Sequence, residues 1–342
     1  DIFPRYIVHV SVQRAAAKDH LRLPCGTTAQ RKAISMNPAK LLFYTMTVLI
    51  WGSTWLGIKF QLGVVDPSQS VAYRFLLAAL ILFAWCLLRR LPLRFARRDH
   101  AMIALQGVCL FALNYLLFYL AELQITSGLA AVVFSTIVVM NLLNGRLFLG
   151  TPVEGRVLVG GGLGLLGLTL MFWPEMVAVD FSGPVVQGLL LSFAATYLAS
   201  LGNILSARNQ RHGLPVVQTN TFGMAYGALC MLGVVAVSGA PLRIELTFSY
   251  LVSLAYLALF GSVIAFGCYL SLVGRIGPGR AAYATLLFPL VALLLSTVWE
   301  DYQWTAAALA GIGLILGGNY LALKRGRIKA LPPMLKKTAP QA

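Results

Sequence analysis

Ten stretches of about twenty mostly apolar residues, joined by short connections, fill nearly all of this chain from residue 41 onward. They lie near residues 41–62, 68–88, 100–121, 127–147, 154–173, 183–205, 217–238, 247–270, 279–298 and 304–323. A helix rising 1.5 Å per residue needs about twenty residues to cross a hydrocarbon layer about 30 Å thick. Lipid offers no hydrogen bonds to a bare backbone, so a spanning segment must satisfy its own, as a helix does. The runs therefore predict an all-α polytopic membrane protein with ten transmembrane helices. Only 11% of the 342 residues are charged, against about 25% in soluble domains.

The few charges alternate from one connection to the next. Arg89, Arg90, Arg94, Arg97, Arg98, Arg146, Arg156, Arg208, Arg211, Arg275 and Arg280 occupy one set of loops. The other set holds Arg243 as its one basic residue, with Asp66, Glu122, Glu175, Asp180, Glu245, Glu300 and Asp301. Basic loops mark the cytoplasmic side, so both termini are expected in the cytoplasm, with a basic tail at 324–342. This distribution also accounts for the net charge of +16. The basic residues are spread over loops and tails rather than over one soluble face, which argues against a nucleic-acid partner.

The chain is also internally repetitive. Residues 118–168 lie over 268–318 at a constant offset of 150, matching Tyr119-Leu120 to Tyr269-Leu270, Ala131 to Ala281, Gly161 to Gly311 and Gly167 to Gly317. This divides the membrane part into two five-helix repeats, 41–173 and 183–323. Five is odd, so the second copy enters the membrane upside down, and the charges follow. The loop at Gln124–Ser127 has no basic residue while its mate carries Arg275 and Arg280. The loop at Arg146 and Arg156 has the mate Glu300-Asp301-Tyr302-Gln303-Trp304. Inverted repeats of this kind place a substrate path between the halves.

Residues 1–40 hold seven basic and two acidic side chains and no sustained apolar run. They are expected to be a disordered or membrane-surface extension, with Met36 as the native start. Four of the five cysteines (Cys25, Cys86, Cys109, Cys230 and Cys268) fall inside apolar runs, and none forms a CxxC pair. They read as small apolar residues, with no metal site.

Polar groups inside spans are candidate transport residues. Lys59 and Arg74 are the basic residues well inside apolar runs, and each either lines a path or snorkels to the outer interface. Trp51, Trp55 and Lys59 recur at i, i+4 and i+8 on one helix face, where an aromatic pair and a cation could hold a planar or carboxylate-bearing solute. Asn114, Tyr115, Tyr119 and Glu122 share much of one face of the third span, and Glu122, near its outer end, is either a partner for Lys59 or Arg74 or a loop acid. Ser192, Thr196, Ser200 and Asn203 form a polar stripe on the sixth, readable as cavity lining or as interhelical hydrogen bonding. Tyr283 and Thr285 are weaker candidates. Gly160 with Gly164, and Gly313 with Gly317, have GxxxG spacing, which suits packing within the bundle, with a homodimer as the alternative.

Several strings resemble the EamA-type branch of the drug/metabolite transporter superfamily. They are Trp51-Gly52-Ser53-Thr54-Trp55 followed by Lys59, Ala72-Tyr73-Arg74-Phe75-Leu76-Leu77-Ala78-Ala79, and Pro289 followed by Glu300 and a glycine-bearing last span. The first unit departs from that pattern, with Val139 and Gly150 opposite Pro289 and Glu300. The resemblance implies a permease of the plasma (inner) membrane that moves small metabolites, with lipid-linked sugars or nucleotide sugars as the alternative cargo. No cofactor is expected. Export of an amphipathic small-molecule substrate by alternating access is the leading expectation. An enzyme is disfavoured, because His9, His20, His100 and His212 sit in tails or at loop edges with no acid placed to form a dyad.

Overall fold

A computed structural model describes residues 38–61, 65–177, 183–299 and 304–324. The expectations for the N-terminal extension, the basic tail beyond Lys324, and Asp180, Glu300 and Asp301 fall outside these residues. All regular structure among the described residues is helical. The main helices are α1 (Pro38–Lys59), α2 (Pro67–Leu88), α3 (Arg97–Glu122), α4 (Gly128–Leu149), α5 (Gly155–Met171) and α6 (Gly183–Arg211). They continue with α7 (Val216–Ser238), α8 (Phe248–Ile276), α9 (residues 278–299) and α10 (Ala306–Leu323). Among the described residues eight helices are long and apolar enough to cross a membrane, and α5 is a shorter apolar helix.

The helix starts follow local chemistry. Asp66 accepts from the Ser68 amide at 2.8 Å with Pro67 in the first turn of α2. Thr126, Thr247 and Thr305 cap α4, α8 and α10 through their hydroxyls. Each cap satisfies an amide that the helix cannot. Helices α3, α6 and α8 run past the apolar limits set by the sequence, to Arg97, Arg211 and Ile276. Arginine is a good helix former, so helical turns continue beyond the apolar stretch.

Three helices depart from regular geometry. Residues Cys109–Leu113 of α3 and Leu257–Ile264 of α8 open into wider i→i+5 turns. Residues Ala282–Leu287 of α9 tighten into a 3-10 segment just before Pro289. The two wide turns lie at matching places, near the middle of the third helix of each repeat. Such turns inside long helices are frequent at functional sites.

The packing pairs helices from different halves. α2 packs on α7 and α5 on α10, while α1 packs on α8 and α9, and α6 on α3 and α4. Exchanging each helix with the one five places later maps this set of pairs onto itself. The α5–α10 pair is antiparallel. A Cβ at Gly160 would fall 2.6 Å from the Gly318 carbonyl oxygen, and one at Gly167 would fall 2.6 Å from the Gly311 oxygen. Gly164 is also in the seam, against Leu286. Here the sequence reading needs correction. Gly313 and Gly317 face open space, and the close approach is made by Gly311 and Gly318. A spacing of seven, two helical turns, keeps that second pair on the same face as its partner's contacts.

Candidate substrate path

Arg74 stands where α2 meets α8. Its residue is 5% exposed, so it is buried and does not snorkel. Its Nε donates to Ser262 Oγ at 2.9 Å, and that hydroxyl donates to the Leu257 carbonyl at 3.1 Å. The second bond spans five residues, so the wide turn of α8 is what aims Ser262. The guanidinium carbon lies 5.5 Å from the Phe75 ring centroid and 5.6 Å from that of Tyr115. A Cβ on Gly261 would sit 3.0 Å from Arg74 Nη2, so the absence of a side chain there leaves room for the cation.

Aromatic rings from several helices surround this point. Trp51 of α1 donates through Nε1 to the Gly261 carbonyl at 2.9 Å. Its ring packs against Phe266, Tyr269 and Phe288 with centroids 4.7, 5.1 and 5.2 Å away. Phe75 contacts Tyr115 at 5.1 Å, and Phe111 contacts Phe266 at 4.9 Å. Trp51, Tyr115 and Tyr119 are half-buried. Tyr119 lies within electrostatic reach of both Arg74 and Glu122. Asn114 is buried, and its Oδ1 has no hydrogen-bond partner among the described residues. The sequence candidates Trp51, Arg74, Asn114, Tyr115 and Tyr119 thus fall on neighbouring helices of one region. The side chains of Trp55 and Lys59 lie outside the described part.

The α6 stripe is sealed into helix packing. Ser192, Thr196, Ser200 and Asn203 are all buried. Thr196 donates to the Ser192 carbonyl at 2.8 Å, Asn144 Nδ2 donates to Ser200 Oγ at 2.9 Å, and Asn203 Nδ2 donates to the Tyr269 hydroxyl at 3.1 Å. The last two bonds tie α6 to α4 and α8. Tyr283 does not join the Arg74 group: its hydroxyl donates to the Val157 carbonyl on α5. Thr285 bonds its own helix at the Ala282 carbonyl.

At the end of the bundle that carries the basic loops, polar contacts join the halves. Glu154, in the α4–α5 connection, accepts from Arg156 Nη2 at 2.7 Å and also pairs with Arg280 at the start of α9. Asn141 Nδ2 of α4 donates to the Pro278 carbonyl at 3.2 Å, and Arg211 Nη1 donates to the Leu149 carbonyl at 2.7 Å. Partial burial pushes the Glu154 carboxyl upward, but the hydrogen bonds and charges of Arg156 and Arg280 outweigh it. The net result holds Glu154 below the usual carboxylate range.

Ser262, Phe266, Tyr269 and Glu154 were not singled out in the sequence. Tyr269 was in plain view as the repeat mate of Tyr119. Ser262 depends on a wide turn, and Glu154 on a fold that carries its loop to Arg280. Neither of these has a local signature.

Apolar helices of membrane-spanning length, with a buried cation and an aromatic cluster between the two halves, define a polytopic helical membrane protein. Comparison with known proteins gives its family. The description EamA-like transporter family matches residues 39–173 and again 186–324, and the chain belongs to that family. It is 31% identical over 290 residues to a protein of Escherichia coli strain K12 named as the uncharacterized inner membrane transporter YedA, covering 80% of this chain and 89% of the relative. It is 24% identical over 285 residues to a probable amino-acid metabolite efflux pump of the same strain, covering 81% and 92%. A crystal structure superposes with a TM-score of 0.70 at 18% identity, over 84% of this chain and 97% of the other. At that identity the likeness concerns the fold.

Proposed function

We propose that this chain is an alternating-access carrier of the inner membrane that exports small amphipathic metabolites, amino acids or related compounds. In this reading ten helices span the bilayer as two inverted five-helix units, and both termini are cytoplasmic. The double family match, the alternating loop charges and the antiparallel α5–α10 pair support the inverted arrangement. The relative named as an amino-acid metabolite efflux pump supports the cargo class.

The observation that carries the reading is Arg74, a cation buried between α2 and α8 beside half-buried aromatic rings. Buried charge in a membrane protein is costly and is kept where it serves a path. The contacts around Glu154 and Arg280 close the basic-loop end in this conformation. Opening that end and closing the other would complete a transport cycle, as rocking of inverted halves does. The test is protein-dependent movement of a mixed metabolite pool in proteoliposomes. Selective depletion of amphipathic metabolites is expected, with loss in Arg74→Ala. A pool unchanged relative to empty liposomes would refute the reading.

A further inference from the structure

The direct contacts of Arg74 are neutral where a cation calls for an anion, although Glu122 and Arg74 both lie within electrostatic reach of Tyr119. The Arg74 Nε is taken by the Ser262 hydroxyl, and two ring faces lie beside the guanidinium. Among the described residues no carboxylate stands within ion-pair distance: the acid found in ion pairs is Glu154, which pairs with Arg156 and Arg280. Arg74 is the eighth residue of α2, about 10 Å along the helix axis from its start, so it sits inside the bundle rather than at its rim. Ring faces and one hydroxyl offset part of the cost of burying a guanidinium, and an opposite charge offsets far more.

The Ser262 hydroxyl and the rings of Phe75 and Tyr115 hold the guanidinium in place. With Nε bound to Ser262, neither terminal nitrogen has a hydrogen bond among the described residues. A guanidinium presented by those two nitrogens matches the two oxygens of a carboxylate. Gly261 leaves Nη2 room, and the same residue's carbonyl is held by Trp51. The wide turn of α8 aims Ser262 through its bond to Leu257. Phe75 and Tyr115 supply apolar area next to the charge.

We propose that Arg74 anchors a carboxylate of the transported molecule, so that the substrate is an organic acid or zwitterion whose apolar part lies along Phe75, Tyr115 and Trp51. The proposal rests on the carrier reading given above and names the charge that the cargo must bear. Ser262 and Gly261 are positioning residues, since they act by holding the guanidinium.

The test uses the full chain in lipid nanodiscs with three probes that share one ring: phenylacetate, phenylacetamide and phenethylamine. Phenylacetate is expected to bind, with the neutral amide and the amine weaker by roughly tenfold or more, as loss of a charge-assisted bidentate contact implies. Arg74→Gln is expected to remove that preference while melting no lower without ligand, since it deletes a charge that lacks an anionic partner. Arg74→Lys is expected to keep the preference for the anion at reduced affinity. Ser262→Ala and Gly261→Ala are expected to weaken phenylacetate binding without reversing its preference.

Equal binding of amide and carboxylate, no phenylacetate binding at all, or full retention of the preference in Arg74→Gln would overturn the proposal. So would protection by anionic lipid alone, tested in nanodiscs with and without phosphatidylglycerol. Movement assays separate the two claims. Protein that carries phenylacetamide as well as phenylacetate keeps the carrier reading and loses this one. Protein that binds phenylacetate through Arg74 but moves nothing across the bilayer does the reverse.

Discussion

The closed basic end offers a prediction whose size follows from the geometry. Glu154 joins two arginines, one on its own side and one on α9, with side chains 39% exposed for Glu154, 20% for Arg156 and 27% for Arg280. That exposure puts each pair in the range of surface ion pairs, about 0.2–1 kcal/mol after screening. Only the Arg280 arm crosses between the halves, so Glu154→Gln is expected to loosen the closed end by at most about 1 kcal/mol, or roughly fivefold in population. The probe is a cysteine at Ala281, which is fully buried and follows Arg280 in the chain. In a background with the native cysteines replaced, maleimide labelling of Ala281→Cys is expected to speed up by up to about fivefold in low salt in the Glu154→Gln variant, and by less at high ionic strength. Arg280→Glu is expected to do the same, and the exchange Glu154→Arg with Arg280→Glu to restore slow labelling. Because the Glu154 carboxyl is held below its usual range, the pair is intact at neutral pH. Its contribution is lost only as the pH falls through that lowered value. Labelling that stays slow in Glu154→Gln would refute the idea that this pair helps to close the end.

Three further outcomes are expected. Gly167→Val and Gly311→Val should each lower the melting stability by about 1–3 kcal/mol or more, because even a Cβ would stand 2.6 or 2.5 Å from a carbonyl oxygen. Gly313→Val and Gly317→Val, which face open space, should be nearly silent in the same melt. Asn144→Ala should cost on the order of 0.6 kcal/mol for its single bond to Ser200, measured by detergent unfolding; a larger loss would mean that the α6 stripe carries more of the fold than its bonds suggest. Reporter fusions should place the C-terminus in the cytoplasm, and an external C-terminus would overturn the ten-span count.

The helical membrane class was legible because lipid makes one demand everywhere, and the apolar runs answer it at fixed length. The family was legible from strings around Trp51, Arg74 and Pro289. The site was legible only in part. Arg74 and Trp51 announce themselves as a charge and a large amphipathic ring within apolar helices. Ser262 does not, because its role comes from a wide turn that no residue pattern marks. The glycine seam shows the same limit. GxxxG spacing identified Gly160 and Gly164, but on α10 the face that meets α5 is set by Gly311 and Gly318. Spacing four apart and spacing seven apart both describe one side of a helix, and only the partner decides which side is used.

The repeat gains its interest from where its copies differ. If the 150-residue offset is carried to α2 and α7, Met224 falls opposite Arg74, and the mate of Ser262 is Ala112, inside the wide turn Cys109–Leu113. Both wide turns are present, so the backbone device is kept in each half. Where α2 of the first half meets α8 of the second it holds an arginine and a serine in a hydrogen bond, while at the symmetry-related meeting of α7 and α3 the equivalent positions are a buried methionine and alanine. Under the proposed inverted duplication, a shared scaffold lets each half take the other's shape during transport. A polar anchor at only one of the two related α2–α8 and α7–α3 contacts gives the cargo a single off-axis site. Placing a second cation at Met224 would give the substrate two competing sites related by the same symmetry. Met224→Arg with Ala112→Ser is therefore expected to slow transport even where Arg74 is intact, and unimpaired transport by that double variant would show that the asymmetry is incidental.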